Sequence, residues 1–372
     1  MKYQKQILNL IQDVATPHNN VLISEFLKRE DIELKLWYSL GNKNKIYNWE
    51  YDITNEYKKA NIYGSKLNFK FLLNCILHRN EKYMIVGWAN INTKLLHLFF
   101  FLFRQEFNHW TDMPSDDRKN LCITKKILRS IAYWVLRNSR AKVFAVGKTS
   151  IDSLKKLKFS NKKLINLPIF IEVEYNLSHF ITKGKYIIDR YNFKKNDFII
   201  SCGSRLEHEK GYDILINAIS IIPKYILNNL KLIIVGNGKS TSELIELINQ
   251  NGLNSHIFIE PWLKIDDFKA LISVSDIFIH PARFDSYGGT ILGMSMGKPV
   301  IGSMGAGAAV DRIINGHNGF LYETDDYITL SNNIIYLYNN PSVKKEMGYN
   351  AHTTSLKWHP SIGIKIIIEN YI

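Results

Sequence analysis

Short apolar runs that end in glycine or a polar loop recur along the chain, and their alternation with amphipathic segments constrains the fold most. The second half contains five such runs: FIISCGS (198–204), KLIIVGNG (231–238), HIFIEP (256–261), DIFIHP (276–281) and PVIGS (299–303). Uniformly apolar strands alternating with helices are typical of βαβ units in a parallel sheet. The helices between them are predicted at Tyr212–Ile222, Thr241–Asn251, Asp266–Val274 and Thr290–Met296.

The first half shows a looser form of the same pattern. Strands are predicted at Ile7–Gln12, Ile32–Trp37, Tyr83–Gly87, Glu106–Trp110, Lys142–Val146 and Lys163–Asn166, with helices at Asn19–Arg29 and Thr93–Phe103. The segment IFIEVEYNLSHFITKGK (169–185) is interpreted as a connection. A chain of 372 residues accommodates two domains. We therefore predict two doubly wound α/β domains, 1–178 and 179–372, with a cleft between them and the last helix packed on the first domain.

The positive charge lies almost entirely in the first domain. Residues 1–180 contain 29 Lys and Arg against 16 Asp and Glu, whereas the rest contains 19 against 18. This asymmetry favours an anionic partner such as a phospholipid surface or a lipid pyrophosphate, the alternative being a solubilising surface. Nucleic acid is disfavoured because no recognisable RNA- or DNA-binding module is present.

The run LLHLFFFLF (95–103) is about half as long as a membrane-spanning helix needs to be. It is interpreted as a core helix, or as a helix whose aromatic end touches a membrane surface. We expect no secretory leader at the N-terminus. The three cysteines, Cys75, Cys122 and Cys202, lack metal-binding spacing, so neither a disulfide nor a zinc site is expected.

Two cations follow the strand FIISCG at a spacing of five. Arg205 and Lys210 stand after Gly203, and Gly211 opens the next helix. A guanidinium and an ammonium at the end of a parallel strand can neutralise a diphosphate, although a solvated loop would have the same sequence. The later turn at Gly236 and Gly238 lacks the GxGxxG pattern, which disfavours a nicotinamide cofactor.

The segment HPARFDSYGGTILGMSMGKPVIGS (280–303) carries the strongest signal. Its strand is followed by Asp285 and then by Ser286, Tyr287, Gly288, Gly289 and Thr290, which lead into a helix. Glycines at a helix N-terminus leave amide groups available to an anion. Asp285 is placed to bind sugar hydroxyls or, alternatively, to cap the helix.

In order and spacing, four stretches of the second half resemble the donor-binding domain of the family-4 retaining glycosyltransferases: GSRLEHEKGYDILINAI, LIIVGNG, SDIFIHPARFDSYGGTILGMSMGKPVIGS and GAAVDRIINGHNGFLY. QDVATPHNNVLISEFL (12–27) and EFNHWTDMP (106–114) resemble the family's acceptor domain more loosely. The resemblance implies the GT-B fold, in which two Rossmann-like domains face each other across a cleft. It also implies sugar transfer from a nucleotide sugar without a metal or other cofactor, and no Asp-x-Asp motif stands at a strand end.

The resemblance assigns roles to individual residues. Arg205 and Lys210 would hold the donor diphosphate, Asp285 would contact the transferred sugar, and His109 would lie at the reacting centre against a sugar hydroxyl or the phosphate. The remaining donor-site positions are Gly203, Gly236, Gly238, Pro261, Trp262, Leu263, Ser286, Tyr287, Gly288, Gly289 and Thr290.

Candidates on the acceptor side are weaker. His18 and Asn19 stand in the first loop, where a histidine is also a common cap. Trp110 and Asp112 flank the predicted active-site histidine, although Trp110 fits core packing equally well. Trp88 follows another strand and is a further candidate.

One position departs from the family pattern. The second glutamate of the E-x7-E motif, which binds the ribose, falls on Gly293. Loss of that carboxylate would weaken donor binding by about 1.5–3 kcal/mol unless another group replaces it. The prediction is an active hexosyltransferase with a UDP-sugar donor and a lipid-pyrophosphate-linked acceptor, acting at the cytoplasmic membrane face in surface polysaccharide (O-antigen) synthesis. The alternatives are a non-catalytic nucleotide-sugar-binding subunit and a nucleotide-sugar epimerase.

Overall fold

The computed structural model describes residues 5–13, 16–39, 61–62, 68–87, 91–114, 123–172 and 174–372. The chain divides into two compact units. Unit 1 contains Met1–Glu172 together with the C-terminal Pro360–Ile372, and unit 2 contains Val173–His359.

Unit 1 is built on a parallel sheet whose described strands follow the order β3-β2-β1-β4-β5-β6-β7. Their bounds are β1 Gln6–Gln12, β2 Ile32–Tyr38, β3 Asn61–Ile62, β4 Lys82–Val86, β5 Asn108–Thr111, β6 Val143–Ala145 and β7 Leu164–Asn166. From β1 the strands are added first on one side, as β2 and β3, and then on the other, as β4 to β7. This is the doubly wound topology that the strand–helix alternation predicts.

The helices of unit 1 are α1 Pro17–Leu27, α2 Phe69–Leu77, α3 Ile91–Leu102, α4 Ile123–Asn138, α5 Gly147–Lys156 and, from the C-terminal segment, α15 Pro360–Tyr371. The run LLHLFFFLF forms most of α3: Leu96 and Phe100 are fully buried, whereas Leu102 and Phe103 at its end are exposed. The Tyr371 hydroxyl accepts from the Tyr83 amide at 2.6 Å and donates to its carbonyl at 2.8 Å, which ties α15 to β4.

Unit 2 contains a second parallel sheet, with described strands in the order β10-β9-β8-β11-β12-β13. The strands are β8 Phe198–Gly203, β9 Leu230–Val235, β10 Ile257–Glu260, β11 Ile277–His280, β12 Val300–Ser303 and β13 Gly319–Tyr322. Buried aliphatic side chains from β8, β9 and β11 fill the core, as the uniformly apolar runs predict.

The helices of unit 2 are α6 Ser178–Asp189, α7 Tyr212–Ser220, α8 Lys224–Leu227, α9 Thr241–Gln250, α10 Ile265–Val274, α11 Thr290–Ser295, α12 Gly307–Arg312, α13 Tyr327–Asn339 and α14 Pro341–Leu356. Part of the segment interpreted as a connection, 169–185, is therefore helical, because α6 begins at Ser178. Phe180 and Gly184 of α6 are buried, and Gly184 packs closely on α10, which favours a helix here.

Among the described residues, no helix is long and apolar enough to cross a membrane. Cys75 and Cys202 are buried free thiols, while Cys122 lies outside the described residues. Burial raises the pKa of the Cys75 thiol to about 12, so it carries no charge at neutral pH.

Candidate functional site

Lys210 and Asp285 form a buried ion pair beyond the carboxyl ends of β8 and β11. Lys210 ends a short 3-10 helix, His208–Lys210, and its Nζ lies 2.9 Å from Asp285 Oδ2. Burial raises the pKa of the Asp285 carboxyl, but the His280 hydrogen bond and the Lys210 charge outweigh burial and hold this pKa below its usual value. The carboxylate is therefore ionised at neutral pH.

The turn that carries Lys210 and the loop that carries Asp285 are fastened to each other. The Arg283 guanidinium donates to both carboxylate oxygens of Asp213, at 2.7 and 2.6 Å, and to the His208 carbonyl at 3.0 Å. The Phe284 amide donates to the Glu209 carbonyl at 3.0 Å. Because bidentate Arg–carboxylate pairs have a defined geometry, these contacts hold the two loops in one arrangement.

Two glycines make this arrangement possible. Gly211 has φ +68°, and a Cβ added there would lie 2.1 Å from the Pro281 carbonyl oxygen. A Cβ at Gly288 would lie 2.7 Å from Asp285 Oδ2 and 3.1 Å from the His280 ring. Only glycine leaves room for the Lys210 turn and for the side chains of the ion pair.

His280, which sequence reasoning did not select, joins Asp285 to Thr290. Its Nε2 lies 3.2 Å from Asp285 Oδ2, and its Nδ1 lies 2.8 Å from Thr290 Oγ1. Because a carboxylate oxygen only accepts, Nε2 donates to Asp285, while Nδ1 lies within hydrogen-bond distance of the Thr290 hydroxyl. The only sequence signal was a histidine at the end of DIFIHP, and a single histidine has no diagnostic spacing.

Arg205 has a different environment from Lys210, the residue with which the sequence analysis grouped it. Its Nη2 lies 3.5 Å from Glu209 Oε1, and its side chain is partly exposed. Sequence reasoning grouped Arg205 with Lys210, and the structure brings Lys210, rather than Arg205, into contact with Asp285.

The predicted nucleotide-side residues lie in loops at the carboxyl edge of the same sheet. Gly203 ends β8, Gly236 and Gly238 follow β9, and Pro261, Trp262 and Leu263 follow β10. Trp262 is 45% exposed, whereas Leu263 packs on the core. A Cβ at Gly238 would lie 2.1 Å from the Leu206 carbonyl oxygen, so packing of two loops accounts for that glycine.

Tyr287 is held in place by Arg312. The Arg312 Nε donates to the Tyr287 hydroxyl at 2.6 Å, and the guanidinium also stacks on the Trp358 ring. Burial lowers the pKa of Arg312 to about 10. Ser286 is partly buried beside this contact, and the Gly288–Gly289 pair that follows leads into α11 at the buried Thr290.

The departure at Gly293 has a structural explanation. Gly293 lies in α11 against the buried Phe278 of β11, and an added Cβ would lie 2.8 Å from both Cβ and Cγ of that residue. The space that a ribose-binding glutamate would enter is thus filled by an aromatic side chain. The sequence located the missing carboxylate, but the contact that excludes it requires the tertiary structure.

In unit 1, His109 is fully buried in β5 beside a second histidine. Its Nδ1 lies 3.1 Å from Nε2 of His97 in α3, and His97 Nδ1 contacts the Thr93 carbonyl. Burial lowers the pKa of His97 to about 4. Burial and the neighbouring His97 also lower the pKa of His109, against an opposing contribution from the Ile85 carbonyl. Both rings are neutral at pH 7.

The acceptor-side candidates are dispersed. His18 is exposed in the first turn of α1, where Thr16 caps the helix by accepting from the Asn19 amide at 3.2 Å. The Asn19 side chain donates to Gln12 at 2.9 Å. Trp110 is buried in β5, and Asp112 is exposed just after it. Trp88 lies outside the described residues.

Across the described ranges, no group of three or more His, Cys, Asp or Glu side chains is placed to hold a metal ion. The charged groups of the unit 2 site include the Asp285 carboxylate and the cations Lys210 and Arg205. Such a set can bind an anion while holding a hydrogen-bond acceptor beside it.

Comparison with known proteins gives a consistent result. The profile of the family "Glycosyl transferases group 1" matches residues 185–354. An uncharacterised glycosyltransferase of Methanocaldococcus jannaschii is 32% identical over 165 residues, which are 43% of this chain and 45% of the relative. A Campylobacter jejuni enzyme named as an α-1,4-N-acetyl-D-galactosaminyltransferase acting on a PP-undecaprenol-linked GalNAc glycan is 26% identical over 43% of this chain and 44% of its own. The chain thus spans about half the length of the curated relatives it matches.

The fold is shared over the whole chain with a solved structure. The Anabaena protein HepE, in complex with UDP, superposes with a TM-score of 0.78 at 17% identity, covering 98% of this chain and 99% of that one. This likeness confirms the predicted GT-B class with its two Rossmann-like domains. Residues 185–354 therefore carry the sequence pattern of the group 1 glycosyl transferases.

Proposed function

We propose that this protein is a retaining glycosyltransferase that moves a hexose or N-acetylhexosamine from a UDP-sugar to a lipid-pyrophosphate-linked glycan. The observation that carries the proposal is the buried Lys210–Asp285 pair at the carboxyl edge of the unit 2 sheet, within the segment that matches the family. Ligands of open parallel sheets bind at that edge. Unit 2 is accordingly proposed to bind the donor and unit 1 the acceptor.

Lys210 is proposed to bind the donor diphosphate while it remains paired with Asp285. An ammonium has three donors, and the contact with Asp285 uses one of them. A second N–H is available to a phosphate oxygen, so Asp285 fixes the direction in which the ammonium points. Arg205, on the same loop and partly exposed, supplies a second cation for the charge that develops on the leaving group.

The transfer needs no protein nucleophile in this scheme. The bond from the anomeric carbon to the diphosphate oxygen breaks, and the acceptor hydroxyl adds on the same face of the sugar. The cations stabilise the departing diphosphate, and the acceptor proton leaves with it. UDP as the nucleotide is supported by the complex of the GT-B relative HepE with UDP.

The activity is tested by incubating the protein with single UDP-sugars and an undecaprenyl-pyrophosphate-linked glycan. We expect one donor to increase the acceptor mass by one sugar and to give a product with the anomeric configuration of the donor, read by NMR. Donor binding without transfer across the whole panel would favour the non-catalytic alternative, which was considered because Gly293 stands where the family has a ribose-binding glutamate. Conversion of the donor without acceptor would favour an epimerase.

An anionic bilayer is the proposed setting, and helix α4 supplies the surface that contacts it. Ile123, Ile127 and Trp134 are exposed at positions i, i+4 and i+11, which share one face of the helix. Lys126 and Arg137 flank this stripe. Apolar side chains between basic ones suit a membrane interface, where each basic group near an anionic leaflet contributes about 1 kcal/mol.

The apolar surface continues onto α3 of the same unit. The Trp134 ring packs edge-on against Phe101 with centroids 5.3 Å apart, and the exposed Leu102 and Phe103 follow. Together with the basic excess of residues 1–180, this surface supports peripheral binding at the cytoplasmic face, as O-antigen-type polysaccharide synthesis would require.

Replacing Ile127 with glutamate should reduce co-flotation with liposomes that contain anionic phospholipid. Ile328→Glu is the matched control, because Ile328 of unit 2 is 55% exposed and Ile127 is 54% exposed. The control should float like the wild type, and added salt should weaken binding of both. Equal flotation of the two variants, or no binding of the wild type at low salt, would contradict the membrane proposal.

A further inference from the structure

The two oxygens of the Asp285 carboxylate have different surroundings. Oδ2 lies 2.9 Å from Lys210 Nζ and 3.2 Å from His280 Nε2. The Gly288 backbone closes the same side, because a Cβ added there would lie 2.7 Å from Oδ2. Oδ1 accepts no hydrogen bond from any described residue, and the side chain keeps 12% of its surface exposed. Oδ1 is therefore the oxygen that can accept from a bound ligand.

The Lys210 contact alone does not fix the orientation of this carboxylate. Rotation of a carboxylate about its Cβ–Cγ bond has a broad, roughly two-fold energy profile, so the two oxygens can exchange places. An ammonium is a point charge on a flexible stem and can follow either oxygen. The imidazole of His280 instead donates along one direction from a rigid ring. Two donors that converge on Oδ2, one of them rigid, hold that oxygen and thereby fix the position of Oδ1.

The His280 ring is itself held at the end of β11. It is 5% exposed, and its Nδ1 lies 2.8 Å from Oγ1 of the fully buried Thr290. A hydroxyl can donate as well as accept, so this contact persists whether the ring is neutral or protonated. Nε2 carries a hydrogen in both states, because its partner is a carboxylate oxygen. The hydrogen bond from His280 to Asp285 thus has one direction in either state of the ring.

We propose that His280 is a positioning residue that keeps Oδ2 of Asp285 beside Lys210 and presents Oδ1 to a hydroxyl of the donor sugar. His280 acts through Asp285 rather than on the sugar itself. The sugar contact rests on the proposed function, whereas the hold of His280 on Asp285 does not. A sugar hydroxyl donates to Oδ1 best when the carboxylate is ionised.

The groups around Asp285 give this arrangement a measurable consequence. Burial raises the pKa of the Asp285 carboxyl, and the hydrogen bond from His280 opposes burial most strongly, followed by the charge of Lys210. The nearby Tyr212 hydroxyl is uncharged, because burial raises its pKa well above the ordinary value. Removing the His280 hydrogen bond should therefore raise the pKa of Asp285, so that the carboxylate becomes protonated at a higher pH.

The test is a ¹³C NMR titration of the full chain labelled at the aspartate carboxyl carbon, with Asp285→Asn used to assign the signal. We expect His280→Leu to move the Asp285 midpoint to higher pH. His280→Gln should keep the midpoint near that of the wild type, because glutamine retains an N–H donor. An unchanged midpoint in folded His280→Leu would overturn the inference, whether or not the protein transfers sugar. Absence of transfer by the wild type, together with the expected midpoints, would instead overturn the proposed function alone.

Sugar-transfer kinetics of the same variants supply a second measurement. His280→Leu should lower kcat at neutral pH about tenfold or more, as expected for loss of a hydrogen bond to a charged group, and should move the acidic limb of the kcat profile to higher pH. His280→Gln should retain most of both properties. His256→Leu is the control, since His256 also contacts an oxygen, the Leu230 carbonyl at 3.2 Å, but precedes β10 at the opposite edge of the sheet. Equal kcat in the two His280 variants would contradict the positioning role.

Thr290→Val carries the test if leucine at position 280 prevents folding. Valine lacks the hydroxyl but has a similar shape, so the His280 ring remains and loses its partner at Nδ1. We expect the Asp285 midpoint and kcat to change in the same directions as in His280→Leu, but by less. Wild-type values of both quantities in folded Thr290→Val would overturn the row of contacts on which the inference depends.

Discussion

Replacing Lys210 with alanine should lower kcat for sugar transfer by more than tenfold. The substitution removes the cation that we propose to bind the donor diphosphate, and a preorganised charge of this kind typically contributes several kcal/mol to transition-state stabilisation. The expected loss exceeds that for Arg205→Ala, because Lys210 is buried and held at 2.9 Å by Asp285, whereas Arg205 is partly exposed. Steady-state kinetics with the identified donor measures both.

In Lys210→Ala, a loss of folding stability would also lower the measured activity, so the two effects must be measured separately. Lys210→Ala leaves the Asp285 carboxylate buried without its cation, which typically costs about 3–5 kcal/mol. The double variant Lys210→Ala/Asp285→Asn removes both charges, so it should regain much of the free energy of unfolding in urea while remaining at least tenfold slow. Lys231→Ala, at an exposed contact with the Ser255 carbonyl, should match the wild type in both measurements. Near-normal turnover of the double variant would exclude the diphosphate role of Lys210.

The sequence predicted the parallel sheets well, because their signal is local. Fully apolar strands ended by glycine or by His280-Pro281 appear in β8, β9 and β11 within a few residues of the predicted bounds. The bounds of the strands predicted in unit 1 were similarly close, whereas the edge strands β3 and β13 were not predicted. The segment 169–185 was interpreted as a connection because its sequence has no clear helical period. Its helix, α6, is specified by burial of Phe180 and by the packing of Gly184 on α10, a contact distant in sequence.

For the candidate site, the local sequence pattern identified individual residues but not which of them contact each other. The spacing of Arg205, Lys210 and Asp285 selected three residues, but only the fold pairs Lys210 with Asp285. His280 and His97 were not selected, because each stands in an apolar run and contacts its polar partner only in the folded structure. For His97 that partner comes from another secondary-structure element, which no spacing rule within one element identifies.

Restoring the missing carboxylate by Gly293→Glu should fail to strengthen donor binding and should destabilise the protein. The new Cβ would lie 2.8 Å from Phe278 Cβ, an atom that cannot rotate away because it is bonded directly to the β11 backbone. Overpacking of this kind costs about 1–3 kcal/mol, and a carboxylate buried without a partner adds further cost. Gly293→Ala should show the steric part alone. Urea unfolding and UDP titration measure the two effects.

A double-mutant cycle distinguishes a direct contact between residues 278 and 293 from a general loss of core stability. Phe278→Ala alone opens a cavity and should cost about 3–5 kcal/mol. Combined with Gly293→Ala, it should cost less than the sum of the two single variants, because the added methyl enters the space that the ring leaves. Additive losses would mean that the ring does not exclude a side chain at position 293. A coupled pair would instead show that the Phe278 ring occupies the space that a side chain at position 293 would need.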